Sequence, residues 1–393
     1  MLQRDAAHIV KHLANKLPVV ALLGPRQSGK TTLARAIFGT YRYINFEDLN
    51  QRSFALSDPK GFLADAVYNN QQGVILDEAQ HVPQLLSYIQ LYVDTHEPKG
   101  YFILTASQNF LLRQAISQSL AGRIAIITLQ PLSLYELQVN KIQLPELNSL
   151  LLKGTYPRLY SQELLPKEFY PFYIQTYIER DVRQMINIEN LNTFQRFLKL
   201  CAGRIGQLLN VSSLANDCGI NTNTAKAWIS LLEASYIIYL LQPYYKNFSK
   251  RLIKSPKLYF YDSGIATTLL GVQSEQDLAT HYLRGNLVES FVITELAKHF
   301  FNKAETPPLY FWRDSNGNEV DCIVEQGACL NPVEIKSGQT ISSDYFEGLH
   351  YWSKLTTSEQ RNGFVVYGGN ETQHRSQGTV LSWQAIDQII NKT

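Results

Sequence analysis

Three groups of residues carry chemistry by their type and spacing. The first, Gly24-Pro25-Arg26-Gln27-Ser28-Gly29-Lys30-Thr31, fits G-x-x-x-x-G-K-[ST]. Such a loop wraps backbone N–H groups around a phosphate chain, its lysine reaches the terminal phosphates, and its hydroxyl residue ligates Mg2+. Thr32 lies in the first turn of the helix that should follow, whose positive N-terminal end favours the same anion. The second group is Asp77-Glu78, closing the apolar run 74–76. A carboxylate at the end of a buried strand can hold Mg2+ through its water shell, the role expected of Asp77. The adjacent Glu78 is placed to orient or deprotonate an attacking water. The third group is Asp321 with Glu334 and Lys336, spaced 334 − 321 = 13 and then two apart. Glu334 and Lys336 should share one face of a strand. Asp321 and Glu334 could then bind one divalent cation, with Lys336 steadying a hydroxide and Glu289 completing the site from a preceding helix. Two carboxylates so close disfavour double ionisation, so at least one should titrate high without metal.

The elements that must hold these groups show as hydrophobic patterns. Residues 17–23 form a continuous apolar run of the kind buried on both faces of a sheet. Further strand candidates at 41–46, 73–76, 101–105 and 124–129 alternate with helical stretches, which predicts a parallel α/β sheet. Residues 166–233 read as mostly helical. Within them, 211–232 read as a helix-turn-helix, with Ser212 or Ser213 capping the first helix and Gly219 at the turn. Strands at 237–245 and 257–261 would form a wing. Between and into them run five cations and no acid: Lys246, Lys250, Arg251, Lys254 and Lys257. That winged helix would either contact DNA or serve as an internal packing module. A helix near 287–300 and strands at 309–313, 319–325, 332–336 and 363–367 complete a mixed α/β end. The reading divides the chain into 1–140, a P-loop domain; 141–270, a helical and winged-helix domain; and 271–393, an α/β domain.

Composition narrows the class. The chain has 393 residues, enough for two or three domains, and its 45% hydrophobic content is ordinary for a globular protein. Net charge is +2, so any basic surface must be local. The four cysteines form no C-x-x-C pair and read as reduced thiols. The sequence begins without a signal-peptide core and contains no apolar run long enough to span a bilayer. These features predict a cytoplasmic protein with no membrane contact.

GPRQSGKTTL, VILDEAQ, FILTASQNFLL, SLAGR and PLSLYEL resemble, in this order, the AAA-type ATPases of a prokaryotic group that carry a C-terminal half of their own. The likeness covers essentially the whole chain. It implies ATP and Mg2+ as cofactors. It also implies a sensor of the γ-phosphate at Ser107 or Gln108, and an arginine finger at Arg123, in cis or in trans. The helix acid Glu289 with Asp321, Glu334 and Lys336 resembles the restriction-endonuclease-like core, with Mg2+ or Mn2+ as its metal. The resulting expectation is an ATPase coupled to a nuclease-like domain acting on DNA or RNA. The alternative is a regulatory or signalling ATPase whose winged-helix and C-terminal domains bind DNA or a protein partner without cleavage. Self-association into a homo-oligomer fits either.

Overall fold

The apolar runs of the first third pair as a parallel sheet. The protein is described by a computed structural model covering residues 2–68, 72–107, 116, 118–182, 190–244, 254–356 and 363–390, with backbone alone for 179–182. Among these residues five strands, β1 (Val19–Leu23), β2 (Arg42–Asn45), β3 (Val74–Asp77), β4 (Phe102–Ala106) and β5 (Ile124–Thr128), lie in the order β2-β3-β4-β1-β5. Every pairing is parallel. Successive side chains face opposite sides of a strand, and helices cover both sides. Val19, Ala21 and Leu23 therefore join one core with Leu76, Phe102 and Leu104, while Val20 and Leu22 join another with Ile75 and Ile103. β1, β3 and β4 are buried throughout, as central strands must be, whereas the edge strand β2 is half exposed.

The middle is helical as expected, with one departure. Helix Pro166–Tyr173 continues as a π-helix, Ile174–Val182. Its wider turn still buries Tyr170, Tyr173 and Tyr177 along one side. Helices Val211–Cys218 and Thr222–Ala234 form the helix-turn-helix, with Gly219 left-handed at the turn. The cap of the first is Asn210, whose side chain accepts from the Ser213 N–H, and neither Ser212 nor Ser213 plays that part. Serine and asparagine cap almost equally well, so composition alone could not choose between neighbours.

The strands expected to form a wing, β6 (Ile238–Pro243) and β7 (Lys257–Phe260), do pair antiparallel. They also extend a larger sheet. With β8 (Leu309–Arg313), β9 (Glu319–Gln326), β10 (Cys329–Lys336), β11 (Phe364–Tyr367), β12 (Gln373–Arg375) and β13 (Gly378–Ser382) they give the order β12-β13-β11-β10-β9-β8-β6-β7. One hydrophobic core runs from Leu132 to Ile390, so the middle and C-terminal parts share their interior. The boundary drawn at residue 270 thus cuts through a common core rather than between two. Of the expected basic segment, Lys246, Lys250 and Arg251 lie outside the described residues. Lys257 is buried inside the new sheet rather than displayed on a wing.

Helix Arg284–Phe301 packs across this sheet against β10 and β7. Its other end meets the first domain. Lys298 donates to the Leu132 carbonyl at 3.0 Å and to Glu295 at 2.7 Å, and Glu295 accepts from the Leu134 N–H at 2.7 Å. These charges are buried but fully partnered, which is the condition for tolerating them inside a core. No helix among the described residues is long and apolar enough to cross a membrane.

Candidate functional site

β1 ends at Leu23, and the loop 24–29 then turns into helix Lys30–Ile37 at the carboxyl edge of the sheet. Gly24 has φ of 149°, and a Cβ there would lie 2.1 Å from the Leu129 carbonyl oxygen. Only glycine lets the loop start so close to the strand next door. Gly29, at φ 95°, makes the left-handed step into the helix, and Gln27 holds φ of 62°. Lys30 is buried and donates to the carbonyls of Gly24 at 3.0 Å and Pro25 at 2.7 Å, neutral partners that phosphate oxygens could replace. Burial brings its pKa down to about 8, against the pull of Glu78 and Asp77. The Ser28 hydroxyl is buried with no hydrogen-bond partner among the described residues. A buried polar group in that state calls for a ligand or water.

The two acids arrive from β3, separated from β1 by β4 alone. Asp77 accepts from Thr31 at 2.7 Å, from Tyr43 at 2.8 Å and from Thr105 at the end of β4. Its carboxylate is thus aimed at the residue expected to share Mg2+ with it, and the pair Thr31–Asp77 fits that ion in donor type and proximity. Glu78 sits in the left-handed region, φ 55°, unusual for its type and the kind of strain stored at functional sites. Its carboxylate accepts from Ser107 at 2.7 Å and from Gln80. Burial alone would raise its pKa, but Lys30 and these two hydrogen bonds hold it below the usual carboxylate range. An ionised, tethered carboxylate is suited to orienting water more than to taking its proton.

Sequence reasoning missed the supports of this site. Arg4, far away in sequence and fully inside, donates to the Ser28 carbonyl at 2.6 Å, to the Gln130 carbonyl at 2.6 Å and to Glu136 at 2.9 Å. Tyr173 donates to the Arg26 carbonyl at 3.3 Å and Tyr177 to the Ser107 carbonyl at 3.2 Å. The Arg26 side chain leaves the loop for Glu47, at 2.7 Å. Thr32 follows on the helix, and Gln108 lies outside the described residues.

An AAA domain family matches residues 16–138, the stretch that contains every one of these loop and strand-end groups. Uncharacterized proteins of Mycobacterium bovis (Mb2031c) and Mycobacterium tuberculosis (Rv2008c) are each 30% identical over 344 residues, 86% of this chain and 75% of theirs. The chain belongs to the prokaryotic AAA-type P-loop ATPases. The rest of the ATPase falls in two families described as domains of unknown function, DUF8612 over 144–276 and DUF4143 over 284–386. A Walker-type ATPase of Pyrococcus abyssi shares 15% identity and a TM-score of 0.44, covering 68% of this chain and 96% of its own. That likeness is too low to bear on function.

Arg123 lies away from the nucleotide edge of the ATPase. It precedes β5, so it stands at the amino edge of the sheet, the full length of a strand from the loop, and is paired with Asp94 at 2.9 Å. That placement removes the finger in cis, and only a neighbouring subunit could bring Arg123 to a nucleotide.

The C-terminal acids do meet, in a cleft of about 760 Å3 lined by Glu289, Glu319, Asp321, Glu334 and Lys336. Glu334 and Lys336 share one face of β10, bonded at 2.7 Å. Asp321 on β9 accepts from the Ile335 N–H at 2.8 Å and lies 3.8 Å from Lys336. Glu289, Glu319 and Asp321 bring carboxylate oxygens within 4.8 Å of one another. Glu319 and Lys257 were not foreseen. Lys257 bonds Glu289 at 2.8 Å and also pairs with Glu319. Glu334 is pushed up to about 8 and Glu289 to about 7, in both cases by burial first and by Asp321 second. The expected high titration is therefore present, with desolvation ahead of like-charge repulsion as its cause. Oxygen donors of this kind suit Mg2+ or Mn2+ in type.

Proposed function

We propose that the chain hydrolyses ATP with Mg2+ and uses that turnover to control a nuclease-like C-terminal domain acting on nucleic acid. In the first site Lys30 binds the terminal phosphates, Thr31 and Asp77 hold the ion, Glu78 orients the attacking water and Ser107 fixes Glu78. Bound Mg2+ would neutralise charge on the phosphates. In the second, Asp321, Glu289 and Glu334 would hold a metal, and Lys336 would stabilise charge developing on the phosphodiester.

The observation that carries the coupling is one helix that serves both sites. Helix Arg284–Phe301 presents Glu289 to the acid cleft and, six residues on, about 9 Å along its axis, Glu295 to the Leu134 N–H. From there Glu136, Arg4 and the Ser28 carbonyl complete a buried path to the phosphate loop. A shift of the loop on hydrolysis would be felt at Glu295 because packed interiors move as units. The test incubates plasmid, linear single-stranded DNA and RNA with the protein and Mn2+, with and without ATP. Cleavage that needs ATP and is lost in both Lys30→Ala and Asp321→Ala is the expected result. Cleavage unchanged by Asp321→Ala would sink the nuclease assignment.

A second reading, a regulatory ATPase that binds DNA or a protein partner without cutting, has one observation in its favour. Lys257 already pairs with Glu289, one of the acids a metal would need, and with Glu319 beside it.

A further inference from the structure

The acid cleft contains its own cation. Glu289, Glu319 and Asp321 come from a helix and from β9, and their oxygens lie close enough to share one ion. The Lys257 ammonium reaches this group from β7, 2.8 Å from Glu289 and paired with Glu319. Its side chain is 4% exposed, so no water shell screens it. Tyr259, two residues on and on the same face, adds a hydrogen bond to the same Glu289 oxygen at 2.5 Å. A second feature points to a ligand other than lysine. Glu334 lines the same cleft with its side chain 6% exposed, and its Oε1 has no hydrogen-bond partner among the described residues. An amine can satisfy three acceptors at most, and a divalent oxygen-liganded ion takes six or more.

The geometry points to Lys257 as a resident ammonium that occupies the divalent-cation position of the C-terminal cleft, so that a metal enters only when this side chain withdraws. This rests on the nuclease-like reading of the acids and adds the gate to it. In the closed arrangement Lys257 bridges Glu289 and Glu319, and Arg313 holds the other oxygen of Glu319 at 3.2 Å. A doubly charged ion beside Lys257 would meet repulsion at short range in a poorly solvated place. β7 is held on both sides, by β6 and by the segment 206–209, which bridges Lys257 at Leu208, so withdrawal would be a movement of the Lys257 side chain rather than of its strand.

The test measures Mn2+ binding to the full chain without nucleotide, by titration calorimetry and by the electron paramagnetic resonance of free Mn2+. Wild type and Lys257→Met are each compared with the same protein carrying Asp321→Asn, which removes from the count any Mn2+ held elsewhere. The expected result is an Asp321-dependent site in Lys257→Met that is about tenfold tighter or more than in wild type. The Mn2+-induced rise in thermal midpoint should likewise be confined to the variant. If Lys257→Met does not fold, Lys257→Gln keeps hydrogen bonding to Glu289 and serves the same comparison. Equal, Asp321-dependent binding in wild type and variant overturns the gate and leaves the metal site standing. No Asp321-dependent binding in any protein overturns the gate together with the nuclease-like reading.

Discussion

The two charged sites of this chain are built in opposite ways. At the phosphate loop the lone ammonium, Lys30, rests on backbone carbonyls, and the acids Asp77 and Glu78 are held by hydroxyls and an amide from Thr31, Tyr43, Thr105, Ser107 and Gln80. All those partners are neutral, so charge is left over for an incoming anion and its metal. In the C-terminal cleft the acids are answered by cations of the chain itself, Lys257, Lys336 and Arg313. The first site is prepared for a ligand, and the second is partly neutralised before one arrives. The lesson is that a cluster of the right residues states a capacity, while the identity of their present partners states whether the capacity is open.

The largest effect expected from this contrast falls on the support of the first site. Arg4→Met strands Glu136 in the interior without its counter-charge. The cost should be about 3–5 kcal/mol, as for other broken buried pairs. It should appear as a lower thermal midpoint together with weaker ATP binding, because the Ser28 carbonyl loses its donor. Arg4→Met/Glu136→Gln should recover part of the midpoint. A midpoint equal to wild type in the single variant would mean that the loop does not depend on this anchor.

A smaller effect follows from Lys30. Burial lowers its pKa to about 8, so below that pH the free protein already carries the charge that phosphate needs. Above it, binding must first add a proton. ATP affinity should therefore be flat up to pH 8 and then fall about tenfold per unit, until the pKa of the bound lysine is reached. Affinity that stays constant to pH 10 would show that Lys30 is not the group the phosphates require.

What could be read in advance follows chain distance. The loop 24–31 and the strand end 77–78 are each contiguous in the chain, and short strand-like segments alternate with helical spacing, so all five strands of the first sheet were legible. Glu334 and Lys336 were placed on one face by the two-residue period of a strand alone. Arg4, Tyr173, Tyr177 and Lys257 carry no such signal, since each acts on a partner at least 24 residues away, as Arg4 does on Ser28. The fate of β6 and β7 was hidden for a related reason. A strand pattern tells which face is apolar but not which sheet it will join. Arg123 was implied by the resemblance of the SLAGR segment, and its position before β5 puts it at the sheet edge opposite its own phosphate loop, which bears on the finger in cis alone.

ATP turnover at the P-loop is the central property of the chain, and phosphate release from ATP measures it directly in wild type, Glu78→Gln and Lys30→Ala. Wild type should release phosphate in the presence of Mg2+. Lys30→Ala should neither bind nor turn over the nucleotide. Glu78→Gln should bind ATP as wild type does and release phosphate about 100-fold or more slowly, because the carboxylate fixed by Ser107 no longer orients the water. Equal rates for Glu78→Gln and wild type would contradict the account at its centre.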